Sequence, residues 1–241
     1  MKEVKPNQAS ADSKKQQVEA MFNSIAPKYD FLNRFLSLGI DKGWRKKAIQ
    51  SIGDINPKYI LDVATGTADL AIAALKLNPI KVIGIDISAL MLKVGEDKIA
   101  QQKLTDKIEL IKGDSEQLPF ADETFDAITV AFGVRNFENL QKGLNEMQRV
   151  LKTGGKIAVL EFSKPKSFPF KQLYNFYFKN ILPTWGGFIS NNKDAYTYLP
   201  ESVQHFPEGK QFVAFLHQAG FKEAKVQLLT FGICSLYIAL K

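Results

Sequence analysis

The chain has 241 residues, 45% hydrophobic and 24% charged, with a formal net charge of +7. That length suits one domain able to bury its own core, while a single cysteine, Cys234, and two histidines, His205 and His217, exclude a disulfide framework and give no metal-ligand pattern, as fits a reducing, cytoplasmic setting. No stretch reaches the roughly 18 apolar residues that span a bilayer, and the basic residues are scattered rather than massed in a track, which argues against nucleic acid.

Residues 1–13 are polar, mixed in charge and without the apolar centre of a signal peptide, and read as a disordered tail. One domain is expected over 14–241. It opens with a helical lid, 14–52, made of helices at Lys14–Phe22, Tyr29–Leu38 and Lys42–Ile52. Pro27 suits the start of the second helix, whose Tyr29, Phe31, Leu32, Phe35, Leu36 and Leu38 form a wide apolar stripe. Short apolar runs then alternate with helical segments. The strands are Tyr59–Val63, Lys81–Ile85, Ile108–Ile111, Ala127–Ala131 and Lys156–Phe162. The helices are Asp69–Leu77, Ala89–Gln102 and Leu140–Leu151, the last expected to end at a C-cap formed by Gly154 and Gly155. Such alternation implies a mostly parallel sheet covered on both faces.

An aromatic-rich insertion follows at 165–207. Within it, Phe170–Leu182 has helical spacing: Phe170, Leu173, Tyr174, Tyr177, Phe178, Ile181 and Leu182 share one face, while Phe176 sits out of place on the polar side. That face either packs on the core or rests on a membrane surface. A helix at Phe212–Ala219, closed by Gly220, precedes strands Ala224–Leu229 and Ser235–Leu240. These join through Phe231-Gly232 as an antiparallel hairpin at the sheet edge. The sum is an α/β, Rossmann-like, seven-stranded, mostly parallel sheet.

The first strand runs into Asp62-Val63-Ala64-Thr65-Gly66-Thr67-Ala68-Asp69. An acidic residue, a tight turn at glycine and a following helix suit a nucleotide-type ligand, because Gly66 lets the ligand approach the backbone. Asp86, ending the second strand 20 residues after Gly66, suits a carboxylate that accepts from two ribose hydroxyls. A dinucleotide loop needs G-x-G-x-x-G to grip a pyrophosphate. This loop has one glycine, which favours S-adenosylmethionine, a ligand without phosphate. The alternative is an ordinary strand-turn-helix with a surface aspartate. The third strand ends at Asp114-Ser115, where a carboxylate can accept from an adenine amine and an amide can donate to the ring. Leu118, Pro119 and Phe120 add apolar surface beside it.

Four longer segments are more specific. Met21–Asn33, Phe132–Phe137, Arg149–Pro165 and Asp194–Val203 closely resemble signature segments of the menaquinone/ubiquinone biosynthesis C-methyltransferase family, and the resemblance runs from about Val18 onward. It implies a class I methyltransferase fold and methyl transfer from S-adenosylmethionine to a ring carbon of demethylmenaquinol, or of a ubiquinol precursor. It also implies Thr67 and Asp86 at the cofactor, Asp114 and Ser115 at the adenine, and an isoprenoid-tailed quinol substrate met by peripheral contact at the inner face of the membrane. A homodimer is compatible with the sequence. Two residues depart from the family pattern: Ala68 stands where glycine is usual, and Ala131 where some members have serine.

A hydroquinone carbon becomes nucleophilic when its neighbouring hydroxyl loses a proton, so the site needs a group that stabilises a phenolate or orients a water. Arg135 and Asn136, just after the fourth strand, and Tyr29 on the lid are the candidates. Equally, Arg135 could pair with Glu161, and Tyr29 could be core. His217 reads as structural, and His205 is a weaker candidate base. Rival readings are a methyltransferase acting on a soluble phenol and a non-catalytic cofactor-binding subunit.

Overall fold

The computed structural model describes residues 4–37, 39–177, 180 and 193–241; the side chains at 32, 35, 36 and 193–196 are outside that description. Strands β1 (Tyr59–Val63), β2 (Lys81–Asp86), β3 (Ile108–Lys112), β4 (Phe125–Ala131), β5 (Leu151–Phe162), β6 (Lys222–Leu229) and β7 (Cys234–Leu240) form one sheet in the order β3-β2-β1-β4-β5-β7-β6. β1 to β5 pair in parallel, while β7 runs antiparallel to β5 and to the edge strand β6. The expected sheet and its C-terminal hairpin are both present.

Period-two alternation sends neighbouring side chains to opposite faces. Leu61, Val63, Ile157 and Val159 enter one core, which α6 (Leu140–Val150) and α9 (Lys210–Gln218) cover. Ile60, Ala158 and Leu160 enter the other, beneath α3 (Asp41–Ser51), α4 (Asp69–Ala74) and α5 (Ala89–Gln101). Strand order reverses between β1 and β4, which opens a crevice at their carboxyl ends, where ligands of such sheets bind.

The lid comprises α1 (Lys14–Ile25), α2 (Tyr29–Leu36) and α3. The Ser13 hydroxyl accepts from the Gln16 amide and the Gln16 side chain accepts from the Ser13 amide, a capping box that fixes where α1 begins. Within the stretch read as a tail, Val4 is buried against Val18, Met21 and Ile25, and the Asn7 amide donates to Gln17 at 2.8 Å. In α2, Phe31 of the expected apolar stripe is 60% exposed; Leu38 and the Leu32, Phe35 and Leu36 side chains lie outside the described residues.

Two local expectations are corrected. Gly154 and Gly155 do not cap α6: the helix ends at Val150, Leu151 is already extended and paired with Phe125, and Gly154, at φ +79°, turns the chain where the β4–β5 register shifts. The bulge needs a left-handed residue, and glycine supplies it. In the insertion, α7 is described over Phe170–Phe176. Tyr174 is buried, but Leu173 is as exposed as Phe176. Among the described residues, this short helix docks through Tyr174 and through Phe170, whose ring stacks on Phe231 at 3.8 Å, and Leu173 lies on its exposed side. Phe178, Ile181 and Leu182 lie outside the described residues. The insertion ends in α8 (Lys193–His205). Among the described residues, no helix is long and apolar enough to cross a membrane.

Candidate active site

A cleft of about 670 Å³, including its open mouth, lies at the carboxyl ends of β1, β2 and β3 under α1. Gly66, Asp86, Asp114, Ser115, Asn136 and Tyr29, all expected at the site, line it. Gly66 has φ +56°, and a Cβ there would lie 3.2 Å from Met91. Gly133 is needed for a different reason: a Cβ would stand 2.5 Å from the Ala64 Cβ, so its absence lets the β1 loop close against the end of β4. Ala68 takes φ +66°, the conformation in which glycine is at ease, so the departure at that position is absorbed as backbone strain of roughly 1 kcal/mol.

Asp86 holds the loop and faces the cleft. One oxygen accepts from the Gly66 amide and the other from the Ser88 amide, both at 2.8 Å. Each keeps a second lone pair. Burial nonetheless raises its pKa above the ordinary carboxylate value. Asp114 accepts from the Glu116 amide at 2.8 Å and pairs with Lys15 of α1 at 2.5 Å. Asp86, Asp114 and Glu116 give the cleft an acidic lining, suited to a cationic ligand and ill-suited to a pyrophosphate.

Asp62 and Thr67 do not line the cleft. Asp62 lies beneath the loop, accepting from Thr65 at 2.6 Å and Thr129 at 2.7 Å, and burial raises its pKa to about 6. Thr67 donates to Asp30 of α2 at 2.5 Å, and Asp30 also pairs with Lys98 at 2.6 Å. Both therefore tie the loop to its surroundings. Arg135 sits behind the cleft wall. Its Nη1 donates to Glu161 at 2.9 Å and to the Phe132 carbonyl, and its guanidinium lies 5.6 Å from the Phe162 ring centre. The pairing with Glu161 weighed from sequence is thus present. Glu161 is fully buried, and burial raises its pKa more than Arg135 lowers it. Phe132 has φ +59°, an uncommon conformation for a bulky residue; it aims the carbonyl at Arg135 and Asn136. Tyr29 has its pKa raised, chiefly by burial, and remains a phenol near neutrality. His205 and His217 bond backbone carbonyls at Glu201 and Phe221, and neither lines the cleft.

Sequence reasoning missed Lys15, Asn23 and Phe132. Lys15 reaches Asp114 across the mouth, Asn23 accepts from the Ser88 hydroxyl at 2.7 Å, and Phe132 forms part of the cleft wall. The first two contacts link residues far apart in sequence, and no local pattern marks them.

The strand order with its antiparallel hairpin, and an acidic cleft at the switch point, define a class I methyltransferase. Solved structures agree on the fold. A SAM-dependent methyltransferase of Thermotoga maritima matches with TM-score 0.64 at 19% identity, over 92% of this chain and 99% of that one. Another from Aquifex aeolicus matches with TM-score 0.52 at 21% identity, over 76% and 81%. The chain belongs to the ubiE/COQ5 methyltransferase family, whose model matches residues 10–241. It is 50% identical to the demethylmenaquinone methyltransferase of Bacteroides fragilis, over 96% of each chain. It is 46% identical to the ubiquinone/menaquinone biosynthesis C-methyltransferase UbiE of Geotalea daltonii, over 93% of this chain and 96% of that one.

Proposed function

We propose that this protein transfers the methyl group of S-adenosylmethionine to a ring carbon of demethylmenaquinol. The observation that carries the reading is the acidic cleft of Asp86 and Asp114, which continues into the Tyr29, Phe132 and Asn136 wall, in a chain so similar to a demethylmenaquinone methyltransferase. The free lone pairs of Asp86 accept the ribose hydroxyls. Asp114 accepts the adenine amine, exchanging Lys15 for it, and the Ser115 amide meets the ring. Asp62 and Thr67 keep the loop in place. The donor brings a methyl group already activated on a sulfonium, and the cleft must hold it about 3–3.5 Å from the ring carbon, in line.

Arg135, Asn136 and Tyr29 act on the acceptor. The Arg135 charge lowers the pKa of the quinol hydroxyl, whose proton passes to water. The phenolate electron pair moves into the ring, the carbon–methyl bond forms and the sulfur–methyl bond breaks. The ring carbon then loses its proton and the hydroxyl is restored, so one proton is released per methyl transferred. Tyr29, held protonated, donates to a ring oxygen, and Asn136 orients the water.

The tailed substrate is met at a membrane. Phe168, Leu173, Phe176 and Phe231 are exposed at 59% or more around α7, with Lys166 and Lys171 between them. Exposed aromatic rings among lysines suit an anionic lipid surface.

The test supplies labelled S-adenosylmethionine with demethylmenaquinol, a demethylated ubiquinol precursor and a soluble phenol in turn. Label in the menaquinol product is expected. Label confined to the soluble phenol would replace this reading with the rival enzyme, and cofactor binding without turnover would favour the non-catalytic subunit.

A further inference from the structure

α8 packs against the turn Val134–Asn136 that carries Arg135 and Asn136. Tyr198, on α8, is 2% exposed and shares an apolar cluster with Val18, Met21 and Ile25 of the lid, against which Phe22 and Tyr29 of the cleft wall also pack. That packing accounts for the ring but not for the hydroxyl. Among the described residues the Tyr198 hydroxyl has no hydrogen-bond partner, and neither have Arg135 Nε and Asn136 Oδ1 on the adjoining turn. Buried polar atoms are nearly always paired, so an unpaired hydroxyl on the helix that packs against the Asn136 turn of the cleft wall is available to a polar ligand.

Their donor and acceptor sense specifies the ligand. Arg135 Nε only donates. Asn136 Oδ1 accepts, since its Nδ2 is given to the Phe132 carbonyl. A tyrosine hydroxyl can do either, but burial raises this one far above its ordinary pKa, so it stays protonated and donates to a charged oxygen. A donor that stays protonated complements the phenolate oxygen of a singly ionised hydroquinone, beside the Arg135 charge that favours the same ionised form.

We propose that the Tyr198 hydroxyl donates a hydrogen bond to a ring oxygen of the acceptor, making α8 part of the acceptor site. The assignment rests on the function proposed above and adds a contact from the insertion to those from the lid and the β4 turn. It gives the helix a role beyond packing: α8 holds one ring oxygen and so helps set where the ring sits before the methyl group.

Tyr198→Phe keeps the ring and removes the oxygen. Three readouts are compared with the parent protein: S-adenosylmethionine affinity by calorimetry, the pH dependence of single-turnover methylation of demethylmenaquinol, and binding of a non-reactive hydroquinone analogue in the presence of S-adenosylhomocysteine. Cofactor affinity and melting temperature are expected to hold or, for the latter, to rise, because an unpaired buried hydroxyl has gone. Analogue affinity falls about tenfold, as for one lost hydrogen bond to a charged group. The alkaline-rising limb of the turnover profile moves to higher pH. Unchanged analogue affinity and an unchanged limb would overturn the assignment. So would a lowered melting temperature with normal analogue binding, which indicates a hydroxyl used only for folding. Failure of the parent to methylate the quinol would refute the proposed function instead, while analogue binding would still decide the role of Tyr198.

Discussion

Replacing Arg135 with Met strips the fully buried Glu161 of its cationic partner. Glu161 also accepts from the amides of Arg135 at 3.3 Å and Phe162 at 2.9 Å, so its position survives but its charge is uncompensated. Breaking a buried pair from one side costs about 3–5 kcal/mol. Glu161→Gln strands the guanidinium instead and falls in the same range. The double variant carries neither charge and should return to within about 1–2 kcal/mol of the parent, because a neutral pair of similar volume replaces a desolvated ion pair. Urea denaturation of the four proteins measures this cycle. Turnover then separates the two roles of Arg135. If the guanidinium stabilises the phenolate, the double variant refolds well yet methylates about 100-fold more slowly than the parent at saturating cofactor, the scale of one lost electrostatic contact. If Arg135 serves only the fold, turnover recovers along with stability. Single variants that each cost less than about 1 kcal/mol would mean that the pair is neither desolvated nor coupled.

Asp86→Asn keeps the shape of the carboxylate but removes its charge and one acceptor, and should weaken S-adenosylmethionine binding by about 10–100-fold, the scale of one or two charge-assisted hydrogen bonds; calorimetry giving parental affinity would remove Asp86 from the ribose. Asp62 titrates at about 6 in the fold against 3.8 in the unfolded chain. The folded state therefore holds its proton over that interval, and stability falls as pH rises through it, by about 3 kcal/mol at about 1.4 kcal/mol per unit. Asp62→Asn should abolish that part of the slope in denaturation between pH 4 and 6, and identical slopes would show that Asp62 is solvated. The Phe168→Ala, Phe176→Ala pair should lose co-sedimentation with anionic vesicles, each ring contributing about 1.5–3 kcal/mol when buried in lipid; retained binding would place the membrane face elsewhere.

Much of the architecture is written in local pattern. The apolar runs at Tyr59–Val63 and Lys81–Asp86 become β1 and β2 because their spacing and breakers leave few alternatives, and their ends deliver Gly66 and Asp86 to one cleft. Asp114 follows the same logic on β3. What pattern cannot show is which way a polar side chain turns once the fold closes. Asp62 and Thr67 stand in the right loop, yet Thr129 and Asp30, distant in sequence, take their hydrogen bonds. Gly154 and Gly155 read as a helix cap because a glycine pair after a helix usually is one; the helix stopping at Val150 and the register shift with β4 are properties of two elements together. Leu173 fits an apolar stripe by spacing, but its burial depends on a neighbouring surface, and among the described residues it stays exposed. The Lys15–Asp114 pair and the orphaned Tyr198 hydroxyl are likewise products of the lid and α8 closing over the sheet.

The structure of the product distinguishes methylation at a ring carbon from methylation at oxygen. After one turnover with methyl-labelled S-adenosylmethionine and demethylmenaquinol, carbon NMR of the extracted quinone should place the label on the ring, in a resonance that survives oxidation to the quinone. A methoxy resonance, or no transfer to the quinol at all while the cofactor binds, would rule out methylation at the ring carbon.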